Sequence, residues 1–171
     1  ECPAQLLRNL IHFCSRDAMD IEGLGPAIIE TFVNEGMINK TYDIYNLDPK
    51  KIASLEGFKE TSAKNIINSV NNSKKNDLSK LIFALGIRHI GAKAGKLLAD
   101  KFKNIDAIMN ASVDDILEID GYGAVMAQSV VEFFESDSSK ELIEKLKEAG
   151  VNVVSTNVIK DNRFEGMTFV L

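Results

Sequence analysis

Apolar residues in this chain fall into short helical stripes. One frame recurs between the stripes: apolar residue, variable residue, glycine, apolar residue, second glycine. It stands at Ile21-Glu22-Gly23-Leu24-Gly25, Leu55-Glu56-Gly57-Phe58-Lys59, Ile87-Arg88-His89-Ile90-Gly91 and Ile119-Asp120-Gly121-Tyr122-Gly123. Counted from the last residue of each frame, the steps are 34, 32 and 32 residues, a period that marks structural repetition. Past each frame, positions +3, +4 and +7 carry Ile28/Ile29/Phe32, Ser62/Ala63/Ile66, Ala94/Gly95/Leu98 and Met126/Ala127/Val130, which together form one face of a helix. Asp48 and Ser112 each stand nine positions ahead of a glycine, Gly57 and Gly121, as N-cap residues of approach helices. The pattern predicts an all-α fold of four units, each a helix, a hairpin and a helix.

Around the units, Leu6, Leu7, Leu10, Ile11 and Cys14 share one side of an N-terminal helix. Pro26 near N1 opens a helix that stops near Gly36. Leu78 to Leu85 begins the third unit. Leu142, Ile143 and Leu146 share a face of a last helix, Ser139 to Ala149, closed by Gly150, and Val151 to Val154 is a short β-like run. Residues 71–76 read as a polar connector and a candidate hinge. Unit one is therefore expected to pair with unit two over about 6–72, and unit three with unit four over about 77–154, within one domain of 6–154.

Charge sharpens the picture. The 171 residues carry a net charge of −5, which argues against a polyanion partner until its distribution is considered. Residues 1–49 hold 3 Lys+Arg against 8 Asp+Glu, residues 50–103 hold 12 against 4, and residues 104–171 hold 5 against 13. A basic middle third between two acidic ones points to a polyanion. It coincides with hairpin three, where Lys93 and Lys96 lie in the first turns of a helix. Cations there oppose the helix dipole, but they suit a phosphate bound on the free amides. Gly91 is expected to supply positive φ and room for close backbone approach. No apolar run approaches a membrane span. Two cysteines, Cys2 and Cys14, give no disulfide framework, so a reducing cytoplasm is expected. A chain opening at Glu1 rather than Met reads as a piece of a longer protein.

The four frames resemble the helix-hairpin-helix motif, which implies four tandem motifs forming one compact domain that binds double-stranded DNA without reading sequence. Carried over residue by residue, the motif implies DNA contacts at Gly23, Gly25, Gly57, Lys59, Lys64, Arg88, His89, Gly91, Lys93, Lys96, Gly121 and Gly123. Two units depart from it, with Lys59 in place of a second glycine and His89 in place of a first. The string Cys2-Pro3-Ala4-Gln5 with His12-Phe13-Cys14-Ser15-Arg16-Asp17-Ala18-Met19-Asp20 running into frame one, and Gly86-Ile87-Arg88-His89-Ile90-Gly91, resemble bacterial NAD-dependent DNA ligases. That resemblance implies that residues 1–5 end a zinc-finger module, with Cys2 as one of four zinc ligands and the other three upstream. It also implies that 155–163 is a linker and that Phe164 to Leu171 opens a BRCT domain. The parent would use NAD, magnesium and zinc to seal nicked DNA in replication and repair. The family's Lys-x-Asp-Gly adenylation motif is absent from this chain, so the segment alone is expected to need no cofactor and to have no catalytic residue, acting as a monomer away from membranes.

Other readings compete at single residues and for the whole. Asp114-Asp115 suggests a metal or general-base pair, but Ser112 with Asp115 three residues on matches a capping box. His12 and Cys14 read as structural, and Arg88 reads as a phosphate or minor-groove contact or as a surface charge. A glycosylase would need a catalytic Asp after a hairpin and a base pocket. A structural interaction module would use all four hairpins as packing turns.

Overall fold

In the computed structural model, residues 3–155 are described. Ten α-helices make up the fold: α1 (Pro3–Cys14), α2 (Pro26–Asn34), α3 (Pro49–Ser54), α4 (Glu60–Ser73), α5 (Leu78–Ala84), α6 (Ala92–Phe102), α7 (Ile105–Met109), α8 (Val113–Leu117), α9 (Ala124–Glu135) and α10 (Asp137–Glu148). A 3₁₀ turn over Thr41–Asn46 joins α2 to α3. There the Asp43 carboxylate accepts the amides of Asn39 and Lys40, both at 2.9 Å. The all-α architecture is as the apolar periodicity predicts.

The four units are α1–α2, α3–α4, α5–α6 and α8–α9, the two helices of each packed against one another across the hairpin. The predicted apolar faces are the ones buried: Ile29 and Phe32, Ala63 and Ile66, Ala94 and Leu98, and Ala127 and Val130 all lie in the core. The α5–α6 contact has a local feature at Gly95. A Cβ on Gly95 would lie 3.4 Å from the Ile82 side chain and the Ser79 carbonyl, so α5 and α6 meet there with no room to spare.

Contacts between units run both through the hairpins and between helices. Phe32 of α2 meets Phe58 of hairpin two with ring centroids 5.8 Å apart, and the Gly23 turn lies against Ile66 of α4. Tyr122 of hairpin four donates to the Ala94 carbonyl of α6 at 2.6 Å, and its burial pushes the phenol up to about 12. His12 of α1 donates to the Phe83 carbonyl of α5 at 2.6 Å, its ring 4.7 Å from that of Phe83, which ties the first unit to the third.

The 71–76 segment departs from the expected hinge. Its first three residues belong to α4, and the rest is tied down by hydrogen bonds. The Asn76 side chain donates to the Met19 carbonyl at 2.7 Å. Asn152 donates its amide to the Lys74 carbonyl at 2.8 Å and its side chain to the Asn76 carbonyl at 3.0 Å. The β-like run makes one antiparallel bridge, Asn104 with Val154. Ser155 is buried, with its amide on the Lys103 carbonyl at 2.7 Å, so this first residue of the expected linker packs with the fold. The remainder of that linker, the BRCT remnant at 164–171, and Cys2 lie outside the described residues.

Candidate nucleic-acid interface

Each frame closes a four-residue turn by a backbone bond between its two apolar positions. Leu24 donates to Ile21, Phe58 to Leu55, Ile90 to Ile87 and Tyr122 to Ile119, at 3.3, 3.1, 3.1 and 3.1 Å. The third residue of each turn has positive φ: Gly23 at 91°, Gly57 at 88°, His89 at 70° and Gly121 at 101°. That is the signature of a type II turn, which is why glycine recurs there.

The second glycine position behaves differently. Gly25, Lys59, Gly91 and Gly123 are all extended, with φ of −78°, −127°, −90° and −99°. The positive φ expected at Gly91 is therefore at His89, and Gly91 is in a conformation open to any residue. A Cβ at Gly25, Gly91 or Gly123 would meet nothing within 4 Å. This explains how Lys59 can occupy the position in unit two, and it leaves open space at that position in hairpins one, three and four.

Those four residues are also the N-caps of α2, α4, α6 and α9, and none of the four helices has a side-chain cap. The approach and linking helices do have one. Asp48, Asp77, Asn104, Ser112 and Ser136 accept the amides of Lys50, Ser79, Ala107, Asp115 and Ser139 to cap α3, α5, α7, α8 and α10. The chain thus supplies a side-chain acceptor to one first-turn amide in each of five helices and none to the four post-hairpin helices, whose first-turn amides have no acceptor within the helix. Pro26 at the start of α2 removes one such donor from hairpin one.

Charge grades the hairpins. Lys59 and Lys64 are exposed at hairpin two, and Arg88, His89, Lys93 and Lys96 at hairpin three. None of these lysines or Arg88 joins an ion pair among the described residues, where the pairs are Lys101–Glu118, Lys145–Glu148 and Lys147–Asp106. Hairpins one, two and four present Glu22, Glu56 and Asp120 in the slot held by Arg88. The sequence reading put the strongest grip at hairpin three, and the charges on the exposed turn positions likewise separate three from four.

The competing chemistry finds no geometry. Ser112 and Asp115 form a reciprocal capping box, the hydroxyl accepting the Asp115 amide at 3.1 Å and the carboxylate accepting the Ser112 amide at 3.0 Å. The Ser112 amide, and after it the hydroxyl, hold the Asp115 carboxyl below the usual range. Cys14 is buried in α1, its thiol pushed up to about 12 by burial, which makes it an inert apolar contact. Among the described residues no three His, Cys, Asp or Glu side chains come together as a metal site. A cleft of about 500 Å³ lined by Phe13, Tyr42, Leu85, Phe133, Glu141 and others includes no hairpin-turn residue.

A family model described as a SAM-like helix-hairpin-helix tandem matches residues 15–72, and one described as a helix-hairpin-helix motif matches residues 80–143. The chain is 50% identical over its whole length to a protein named DNA ligase from Acetivibrio thermocellus. It is 48% and 46% identical, over 99% of its length, to DNA ligases of Thermoanaerobacter sp. and Clostridioides difficile. It spans about a quarter of those relatives, 26% of each. With two tandem helix-hairpin-helix matches and end-to-end similarity to these proteins, the chain belongs to the helix-hairpin-helix family, as a segment of the kind found in the DNA ligases.

Proposed function

We propose that this segment holds double-stranded DNA without reading its sequence, by accepting backbone phosphates on the first-turn amides of its post-hairpin helices. The observation that supports this reading is the contrast in capping: five helices carry a side-chain N-cap, and the four that follow hairpins carry none. Amide donors and a helix dipole together favour an anion, and Arg88, Lys93 and Lys96 add charge where hairpin three presents its amides. Phosphate contacts position a protein on a duplex while leaving sequence unread.

The parent protein, on this reading, is an NAD-dependent DNA ligase that uses NAD, magnesium and zinc and seals nicks in replication and repair. The segment engages nicked duplex across the minor groove as a monomer and performs no adenylation itself. Titrating labelled duplexes, nicked and intact, across a range of salt is the direct test. Binding that ignores sequence and falls linearly in log–log with salt is expected. A chain that fails to bind any duplex at low salt, or binds with no salt dependence, would refute the mechanism. In the parent, deleting the segment is expected to lower ligation while sparing self-adenylation.

A further inference from the structure

Between hairpin three and the start of α9 lies an open groove of about 460 Å³, lined by Arg88, His89, Ala124, Val125, Gln128, Ser129 and Glu132. Its walls differ in chemistry. Arg88 and His89 supply cationic and hydrogen-bonding groups on one side. On the other stands Val125, which at 62% exposure is the most exposed large hydrophobic residue among those described. At the far end Glu132 accepts from Gln128 at 2.8 Å, so an anion belongs at the Arg88 end. Val125 holds the place, two residues past the frame, that Lys93 holds in unit three. An apolar side chain there cannot serve a phosphate, and exposing it to water is unfavourable. The occupant that fits both walls is an amphipathic strand edge, with a phosphate toward Arg88 and an apolar sugar against Val125.

We propose that this groove seats the sugar–phosphate edge of one DNA strand and that Val125 makes it selective for deoxyribose over ribose. The inference rests on the duplex-binding reading above and goes beyond it, because hairpin amides grip the phosphates of either polymer. Deoxyribose presents mainly C–H groups to the minor groove, whereas an A-form helix displays its 2′-hydroxyls there. A hydroxyl pressed on Val125 loses its water without gaining a partner, which is expected to weaken binding about tenfold.

The test is anisotropy titration of the 171-residue chain with a DNA duplex and with the same duplex carrying ribose in one strand, for the unmutated chain, Val125→Ser and Val125→Ala. Val125 is exposed on the first turn of α9, and circular dichroism checks that each variant keeps its helices. The unmutated chain is expected to prefer DNA by about tenfold. In Val125→Ser, whose hydroxyl can partner a 2′-hydroxyl, the preference is expected to fall below about threefold, chiefly through tighter hybrid binding. Val125→Ala is expected to weaken DNA binding and keep the salt slope. If both variants bind both duplexes as the unmutated chain does, the sugar contact is wrong while duplex binding stands. If the unmutated chain binds neither duplex, both readings fall.

Discussion

Hairpins three and four share one backbone and present opposite surfaces. Both close the same turn, with positive φ at His89 and Gly121, and both lead into an uncapped helix through an extended glycine, Gly91 and Gly123. They are also joined directly, through the Tyr122 hydroxyl on the Ala94 carbonyl. Yet one displays Arg88, Lys93 and Lys96, and the other Asp120 and Val125. Turn geometry and surface charge therefore vary independently. The turn is needed to fold the unit and present its amides, whereas the charges set how strongly a given hairpin draws a phosphate.

The comparison can be broken first at the turns. Gly23→Val and Gly121→Val place a β-branched residue at φ near 90–100°, and a Cβ at residue 23 would lie 3.2 Å from Ile66 Cγ1, against 3.6 Å from Leu97 Cδ1 at residue 121. Urea unfolding is expected to show losses of about 1–3 kcal/mol, larger at residue 23. Gly91→Ala provides the contrast, since its φ is −90° and its Cβ would meet no atom of the chain. Its stability is expected to hold or rise slightly while duplex affinity falls. A Gly91→Ala chain that unfolds more easily would contradict the assignment of strain to residue 89.

At the level of charge, Lys93→Ala and Lys96→Ala are each expected to weaken binding to all sequences alike and to flatten the salt slope by about one per lost phosphate contact. Lys145→Ala and Lys147→Ala are the controls in the acidic third. Structure adds that both are paired, Lys145 with Glu148 in α10 and Lys147 with Asp106 of α7. Exposed pairs contribute little, so stability and binding are expected to move hardly at all. If the controls matched the hairpin-three pair in lost affinity, the contact surface would have to move to α10.

The capping contrast is sharpened by Ser112→Ala, expected to cost about 0.5–2 kcal/mol in thermal or urea unfolding with duplex affinity intact. The same cap predicts a weak pH effect. Asp115 is held ionised in the folded chain, so its contribution is present above the ordinary carboxylate pKa and is lost as pH falls through the lower folded value. Asp115→Asn is expected to be less stable near neutral pH and to show a shallower acid-unfolding limb. An unchanged limb would mean that the cap is already open in solution.

What the amino-acid sequence determined by itself is local in origin. The 3.6-residue spacing of Ile29, Phe32, Ala63, Ile66, Leu98 and Val130 places them in the core, and Asp48, Ser112 and Gly150 punctuate helices through bonds to neighbours a few residues away. The glycine frame marks every hairpin for the same reason, because a type II turn needs positive φ at one position. What only the tertiary structure decided involves partners distant in the chain or conformations that residue type does not dictate. Nothing in the sequence distinguishes the glycine that needs positive φ from the glycine that only leaves space, and His89 at 70° shows that the slot can force the conformation on another residue. The polar run at 71–76 looks like a hinge until Met19 and Asn152 supply its hydrogen-bond partners, 57 and 76 residues from Asn76. The Tyr122–Ala94 bond spans 28 residues, and the groove that brings Val125 opposite Arg88 forms only once α9 and hairpin three are side by side. Periodicity governs which face of a helix is buried. Packing between units decides which exposed residues meet, because it depends on the relative placement of helices that no single stretch of sequence encodes.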